Sequence, residues 1–101
     1  MTLRLADLRP GMEHLDFRVR VTKLKETRKI KTYSGLEHSL AEGEVTDDSS
    51  NVPFTVWNEK ISELEGIKIE DLIEMKNCFI TSFKGVIQIN VGRDSNIMKV
   101  G

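Results

Sequence analysis

The sequence is poor in the residues that build metal centres and covalent cross-links. It has one cysteine, Cys78, and two histidines, His14 and His38. A lone cysteine forms no internal disulfide, and three such residues in all make no Cys/His zinc cluster. No run approaches the ~18 apolar residues that a membrane span needs. The start Met1-Thr2-Leu3-Arg4-Leu5-Ala6-Asp7 has no apolar core of the kind that marks a secretory leader. No serine or cysteine sits in a nucleophile-elbow context, and there is no phosphate loop or dinucleotide fingerprint. His14 and His38, 24 residues apart, read as strand or surface side chains rather than a general base. The turn carboxylates Asp47 and Asp48 lack further ligands for a cation. These absences predict a cytoplasmic protein with no catalytic residues, no metal and no cofactor.

What is present is a small alternating chain. Its 101 residues are 39% hydrophobic and 31% charged, with a net charge of −1. That is too apolar and too balanced for a disordered segment, and the length fits one domain, residues 1–101. Charge is unevenly placed. Residues 18–31 hold Arg18, Arg20, Lys23, Lys25, Arg28, Lys29 and Lys31 against Glu26 alone. The remainder is acidic, which suggests either a basic footprint on an acidic body or simply the solvated faces of strands.

Hydrophobic periodicity is mostly two, the sign of half-buried strands. Phe17-Arg18-Val19-Arg20-Val21-Thr22 alternates, placing Phe17, Val19 and Val21 inward. Lys25 to Gly35 reads as a long loop or loose hairpin. A second strand runs from about Leu36 to Val45 and ends in the turn-forming stretch Thr46 to Asn51. The third strand, Val52 to Trp57, sets Phe54 and Val56 on one face and Pro53, Thr55 and Trp57 on the other; a proline there marks an edge or a strand start. Asn58 is placed as the N-cap of a short helix that carries Ile61 and Leu64 and stops at Gly66. A fourth strand spans Leu72 to about Ser82. The turn Phe83-Lys84-Gly85 leads to a fifth, Val86 to Val91, and a terminal stretch Ile97 to Val100 follows. Three strands, a short helix and two strands is the order of an all-β five-stranded OB-fold, a Greek-key barrel with its helix between strands three and four.

The six aromatics then separate. Phe17 and Phe54 fit the core. Trp57 falls on the face opposite Phe54, and Phe79 and Phe83, four apart in a strand, project on one side. They either close the ends of the barrel core or form a platform for flat apolar partners. Nucleic-acid bases are such partners, and stacking contributes about 1–3 kcal/mol per base. Arg28, Lys29 and Lys31 before strand two, and Lys84 beside Phe83, are placed to meet phosphates. Tyr33, Thr55, Gln88 and Asn90 complete the candidate groove. Cys78, inside an apolar run, reads as a small core residue.

Three segments also carry a resemblance: Leu8-Arg9-Pro10-Gly11-Met12, Phe54-Thr55-Val56-Trp57, and Asn77-Cys78-Phe79-Ile80-Thr81-Ser82-Phe83-Lys84-Gly85. From about Leu5 to Arg93 the chain resembles the simple, single-OB single-stranded DNA-binding proteins of archaea and the related animal single-stranded-DNA sensors. The resemblance implies base stacking by Trp57, Phe79 and Phe83 and backbone contacts from Arg28, Lys31 and Lys84. It further implies a non-catalytic protein that coats single-stranded DNA in replication, recombination and repair, is associated with the nucleoid, and has repair or replication proteins and weak self-association as partner classes. RNA is the alternative polymer, and a protein-interaction subunit of a larger complex is the alternative role. The chain departs from the family in having Asp48-Ser49-Ser50-Asn51 where an Asp-Glu-Thr-Gly turn is usual. The Gly-rich, acid-tipped tail of many members does not occur within these residues.

Overall fold

The computed structural model describes residues 3–100. Seven strands form: β1 (Leu15–Leu24), β2 (Arg28–Lys31), β3 (Glu37–Thr46), β4 (Asn51–Trp57), β5 (Leu72–Phe83), β6 (Val86–Val91) and β7 (Asn96–Lys99). Neighbours run β1-β3-β4-β6-β5, and β5 returns to β1, so these five strands close a barrel. All the barrel pairings are antiparallel except β4 with β6. Closure leaves the barrel itself without a free edge. The OB-type strand order expected from the alternation is the order observed.

Strand β1 serves two neighbours. Leu15 to Arg20 pairs with β5, and Arg20 to Leu24 pairs with β3 across a bulge at Thr22. The resulting curl presses β1 onto β3 at Gly43. A Cβ there would lie 2.4 Å from the Lys23 carbonyl oxygen and 2.5 Å from the Phe54 ring. Only glycine fits beneath that aromatic.

The core is built as the alternation requires. Phe17, Val19 and Val21 from β1 meet Val45, Phe54 and Val56, and β5 and β6 add Ile73, Met75, Cys78, Ile80, Ile89 and Val91. Inward positions in β5 switch from odd to even numbers at Asn77, which sits at φ +56°. The pairing to β1 shifts at the same place, the mark of a β-bulge. Its backbone N–H donates to Asp16 Oδ1 at 3.0 Å. This one extra residue points Phe79, Thr81 and Phe83 outward while Cys78 and Ile80 stay in the core.

Three local expectations are refined. The segment from Lys25 to Gly35 is a hairpin arm, not a loop: β2 pairs with β3 from Arg28↔Leu40 to Lys31↔Glu37. The segment between β4 and β5 is helical, but as a 3-10 turn from Asn58 to Leu64. Asn58 does not cap it. At φ +51° its side chain reaches back to β3, where Oδ1 accepts from the Ser39 N–H at 3.0 Å. Ile61 and Leu64 still pack on the core, and Glu63 ties the segment to β7 by accepting from Ile97 N–H at 2.8 Å. The terminal stretch is a true strand, β7, paired along β5. Finally, no helix among the described residues is long and apolar enough to cross a membrane.

Candidate nucleic-acid interface

One face of the barrel, between the β2–β3 arm and the β5–β6 hairpin, is an open groove of about 460 Å³. Cross-strand register explains its floor, since directly paired residues share a face. One rung runs Arg28, Leu40, Trp57 across β2, β3 and β4. The next runs Glu42, Thr55, Asn90, Phe79 across β3, β4, β6 and β5. Gln88 and Thr81 form a third rung, and Phe83 stands at the far end of β5. Of the sequence candidates, Arg28, Thr55, Trp57, Phe79, Phe83, Gln88 and Asn90 are thus brought together.

The aromatics are held without being buried. None of Trp57, Phe79 and Phe83 belongs to the core cluster that contains Phe17 and Phe54. Trp57 is half-buried and fixed from two sides. Its Nε1–H donates to Asn90 Oδ1 at 3.3 Å, and the His38 ring meets it in a T-shaped contact with centroids 6.2 Å apart. Asn90 is itself buried, and its amide donates to Thr81 Oγ1 at 2.9 Å. Phe79 is 37% exposed and leans on Gly92, where a Cβ would sit 3.2 Å from the ring. Phe83 is 64% exposed, with Lys84 Nζ 5.4 Å from its ring centroid. Lys84 and Gly85 both take positive φ, +52° and +80°, as a tight two-residue hairpin turn requires.

The N-terminal segment braces the same strand. Gly11 N–H donates to the Ile80 carbonyl and Ile80 N–H to the Met12 carbonyl, both at 2.9 Å. The Pro10-Gly11 turn therefore holds β5 next to Phe79.

The basic footprint is less concentrated than the sequence suggests. Arg18 pairs with Glu74 at 3.2 Å, Lys23 with Glu44 at 3.9 Å, and the Arg20 guanidinium donates to the Glu70 carbonyl. Only Arg28 lines the groove, and Glu42 holds it at 2.6 Å. Lys29 and Lys31 alternate with Arg28 and Ile30, so they lie on the opposite face of the arm. Tyr33 is fully exposed at the tip, outside the groove. Lys84 flanks the groove beside Phe83 without lining it.

Ile30, Leu40, Glu42, Thr81 and Ser82 also line the groove and were not among the sequence candidates. Glu42 becomes legible only once the β3–β4 register pairs it with Thr55. Leu40 reads as an ordinary core leucine, and it is buried, but it stands between Arg28 and Trp57 in the same rung.

Cys78 has no role here. Burial, aided by the nearby Asp16 charge, pushes its thiol up to about 12, so it stays protonated. Among the described residues no group of three or more His, Cys, Asp or Glu could hold a metal ion.

A closed five-stranded Greek-key barrel with an aromatic-lined groove across one face defines an OB-fold of the nucleic-acid-binding type. Comparison with known proteins agrees. The family described as single-stranded DNA binding protein Ssb-like, OB fold, matches residues 8–99. The chain is 31% identical over 97 residues to the single-stranded DNA binding protein Ssb of Saccharolobus solfataricus, covering 96% of this chain and 63% of that one. It therefore spans less than two thirds of that relative's length. The replication factor A related protein from Methanobacterium thermoautotrophicum superposes with a TM-score of 0.83 at 25% identity, over 99% of this chain and 91% of that one. DNA binding domain A of S. cerevisiae Replication Protein A has the same fold, with a TM-score of 0.82 at 16% identity over 99% and 94% of the two chains. The chain belongs to the Ssb-like single-stranded DNA-binding OB-fold family.

Proposed function

We propose that the chain, as one OB unit, is a non-catalytic protein that binds single-stranded DNA in this groove and shields it during replication, recombination or repair. The carrying observation is the placement of Trp57, Phe79 and Phe83 along one open face, supported from beneath yet kept out of the core. Bases stack on these rings, and because every base has a π-face the binding tolerates sequence. Arg28 and Lys84 meet the phosphates from opposite ends of the groove. Lys29, Lys31 and Tyr33 reach a strand only where it continues past the arm. A duplex, with its bases already stacked on one another, is a poor ligand. Proteins that load onto or process the same single strands are its partner class.

The internal pairing of Arg28 with Glu42 implies a shallow salt dependence. Each phosphate neutralised contributes a log–log slope of about −0.7. The test uses the single tryptophan. Oligo-thymidine is titrated into the protein at two salt concentrations while Trp57 fluorescence is followed, with the matching RNA and a duplex alongside. Strong quenching by the DNA single strand alone supports the reading. Equal or tighter RNA binding would redirect it to RNA, and an unchanged signal together with no binding by a labelled oligonucleotide would overturn it.

A further inference from the structure

The polar atoms of the groove fall into two sets. Trp57 Nε1, the Asn90 amide and the Thr81 hydroxyl bond one another and have little left to offer a ligand. The Thr55 hydroxyl, the Gln88 amide and Glu42 Oε2 line the same groove with no hydrogen-bond partner among the described residues. Of these, Glu42 is the one that the binding of a polyanion does not explain. Its side chain keeps only 27% exposure, and Arg28 Nη2 holds Oε1 at 2.6 Å. A half-buried carboxylate on the floor repels phosphate and has no value for stacking.

Its position suggests a different use. Glu42 pairs directly with Thr55, and Trp57 lies two residues further along the same face of β4. Such diagonal neighbours stand about 7–8 Å apart, within reach of long side chains. On the reading proposed above, a base stacked on Trp57 therefore carries its edge past Glu42 Oε2. An ionised carboxylate accepts hydrogen bonds and donates none. Cytosine presents a donor, the N4 amino group, where thymine and uracil present the O4 acceptor. The N3–H of thymine or uracil is no substitute, because it lies between two carbonyl oxygens that the carboxylate repels. When a phosphate draws on Arg28, Glu42 loses charge compensation and the amino contact gains in value.

The geometry points to Glu42 as a specificity-determining residue: it makes the groove prefer a base that offers an amino group, cytosine over thymine or uracil, at the position stacked on Trp57. This inference rests on the groove being the single-strand site. The experiment compares oligo-deoxycytidine with oligo-deoxyuridine of equal length, uracil being chosen so that thymine's methyl group does not enter, at one mildly alkaline pH. Binding is measured by anisotropy for the wild-type chain, Glu42→Gln and Glu42→Ala, each checked for folding by thermal melting.

A net hydrogen bond to a charged acceptor should make the wild type favour the cytosine oligomer by about tenfold or more. Both substitutions should bring the ratio to about unity, the glutamine because its amide both donates and accepts. Removing the anion should also tighten both oligomers, but the ratio cancels that common gain. A wild-type ratio of one, or a preference that survives both substitutions, overturns the assignment. Glutamine, close in shape to glutamate, keeps the test available if the alanine variant does not fold. If the wild-type chain binds neither oligomer, the single-strand reading itself has failed, and the inference with it.

Discussion

Phe83 offers the cleanest separation of binding from folding. Its ring is 64% exposed and sits outside the core cluster, with Lys84 Nζ 5.4 Å from its centroid. Full burial of a phenylalanine contributes about 1.5–3 kcal/mol, and only about a third of this one is covered, so Phe83→Ala should cost about 0.5–1 kcal/mol of stability. For a domain of this size that lowers Tm by roughly 2–8 °C. If Phe83 carries a base, the same change removes about 1–3 kcal/mol of stacking. Affinity for a single strand should then fall by between about fivefold and about 150-fold. The assay is anisotropy of a labelled oligo-thymidine across a salt series, with the melt recorded on the same preparation. No charge is removed, so the salt slope should not change while the whole line drops. An affinity within about twofold of wild type, with the variant folded, would refute the stacking role at this end of the groove. A loss of affinity matched by a collapse of the melt would instead show that Phe83 is structural.

Other changes probe the frame beneath the groove. Gly43→Ala drives a methyl group into the Lys23 carbonyl and the Phe54 ring, where a Cβ has only 2.4 and 2.5 Å; we expect a loss of about 1–3 kcal/mol or more, read from urea unfolding. Asn90→Ala leaves the Trp57 indole N–H and the Thr81 hydroxyl without their partner. It should cost about 1–3 kcal/mol and shift the Trp57 emission maximum, and an unshifted spectrum would mean that Asn90 does not hold the ring. Cys78, with its pKa moved from 9.0 to about 12 by burial, should resist thiol reagents until the chain unfolds. Because the native state holds this proton more tightly, its contribution to stability is complete below about pH 9 and is lost as pH rises toward 12. A pH-independent chemical midpoint across that window, with base-labile groups controlled by Cys78→Ala, would argue against it.

The barrel was legible in the sequence because its strands bury one face and wet the other. The Phe54/Val56 and Thr55/Trp57 sets were sorted by alternation alone, and the two phenylalanines of β5 were placed correctly on one side. The switch of inward positions at Asn77 does not disturb that pair, since the bulge precedes both. What could not be read was long-range. The pairing of β2 depends on β3, and so does the fact that Lys29 and Lys31 turn away from the groove. Asn58 has an N-cap's composition, but it is the first residue of the helical turn, and its side-chain Oδ1 accepts instead from the Ser39 N–H in β3. Arg18 and Arg20 read as part of either a basic footprint or a solvated strand face, and only the closed barrel shows Glu74 and the Glu70 carbonyl beside them. Glu42 looked like one more acidic residue of a solvated strand.

The two faces of β4 also limit how this chain tolerates insertions. A single residue added between Asn51 and Val52, with no bulge to absorb it, would exchange the sets, sending Thr55 and Trp57 toward the core and Phe54 and Val56 into the groove. Folding and recognition would be lost in the same step. At the tip of the β2–β3 arm, where Thr32 N–H bonds the Leu36 carbonyl across an exposed turn, added residues change neither set. Length variation among relatives should therefore gather at that tip, which is also where reach along a bound strand can be altered without touching the barrel.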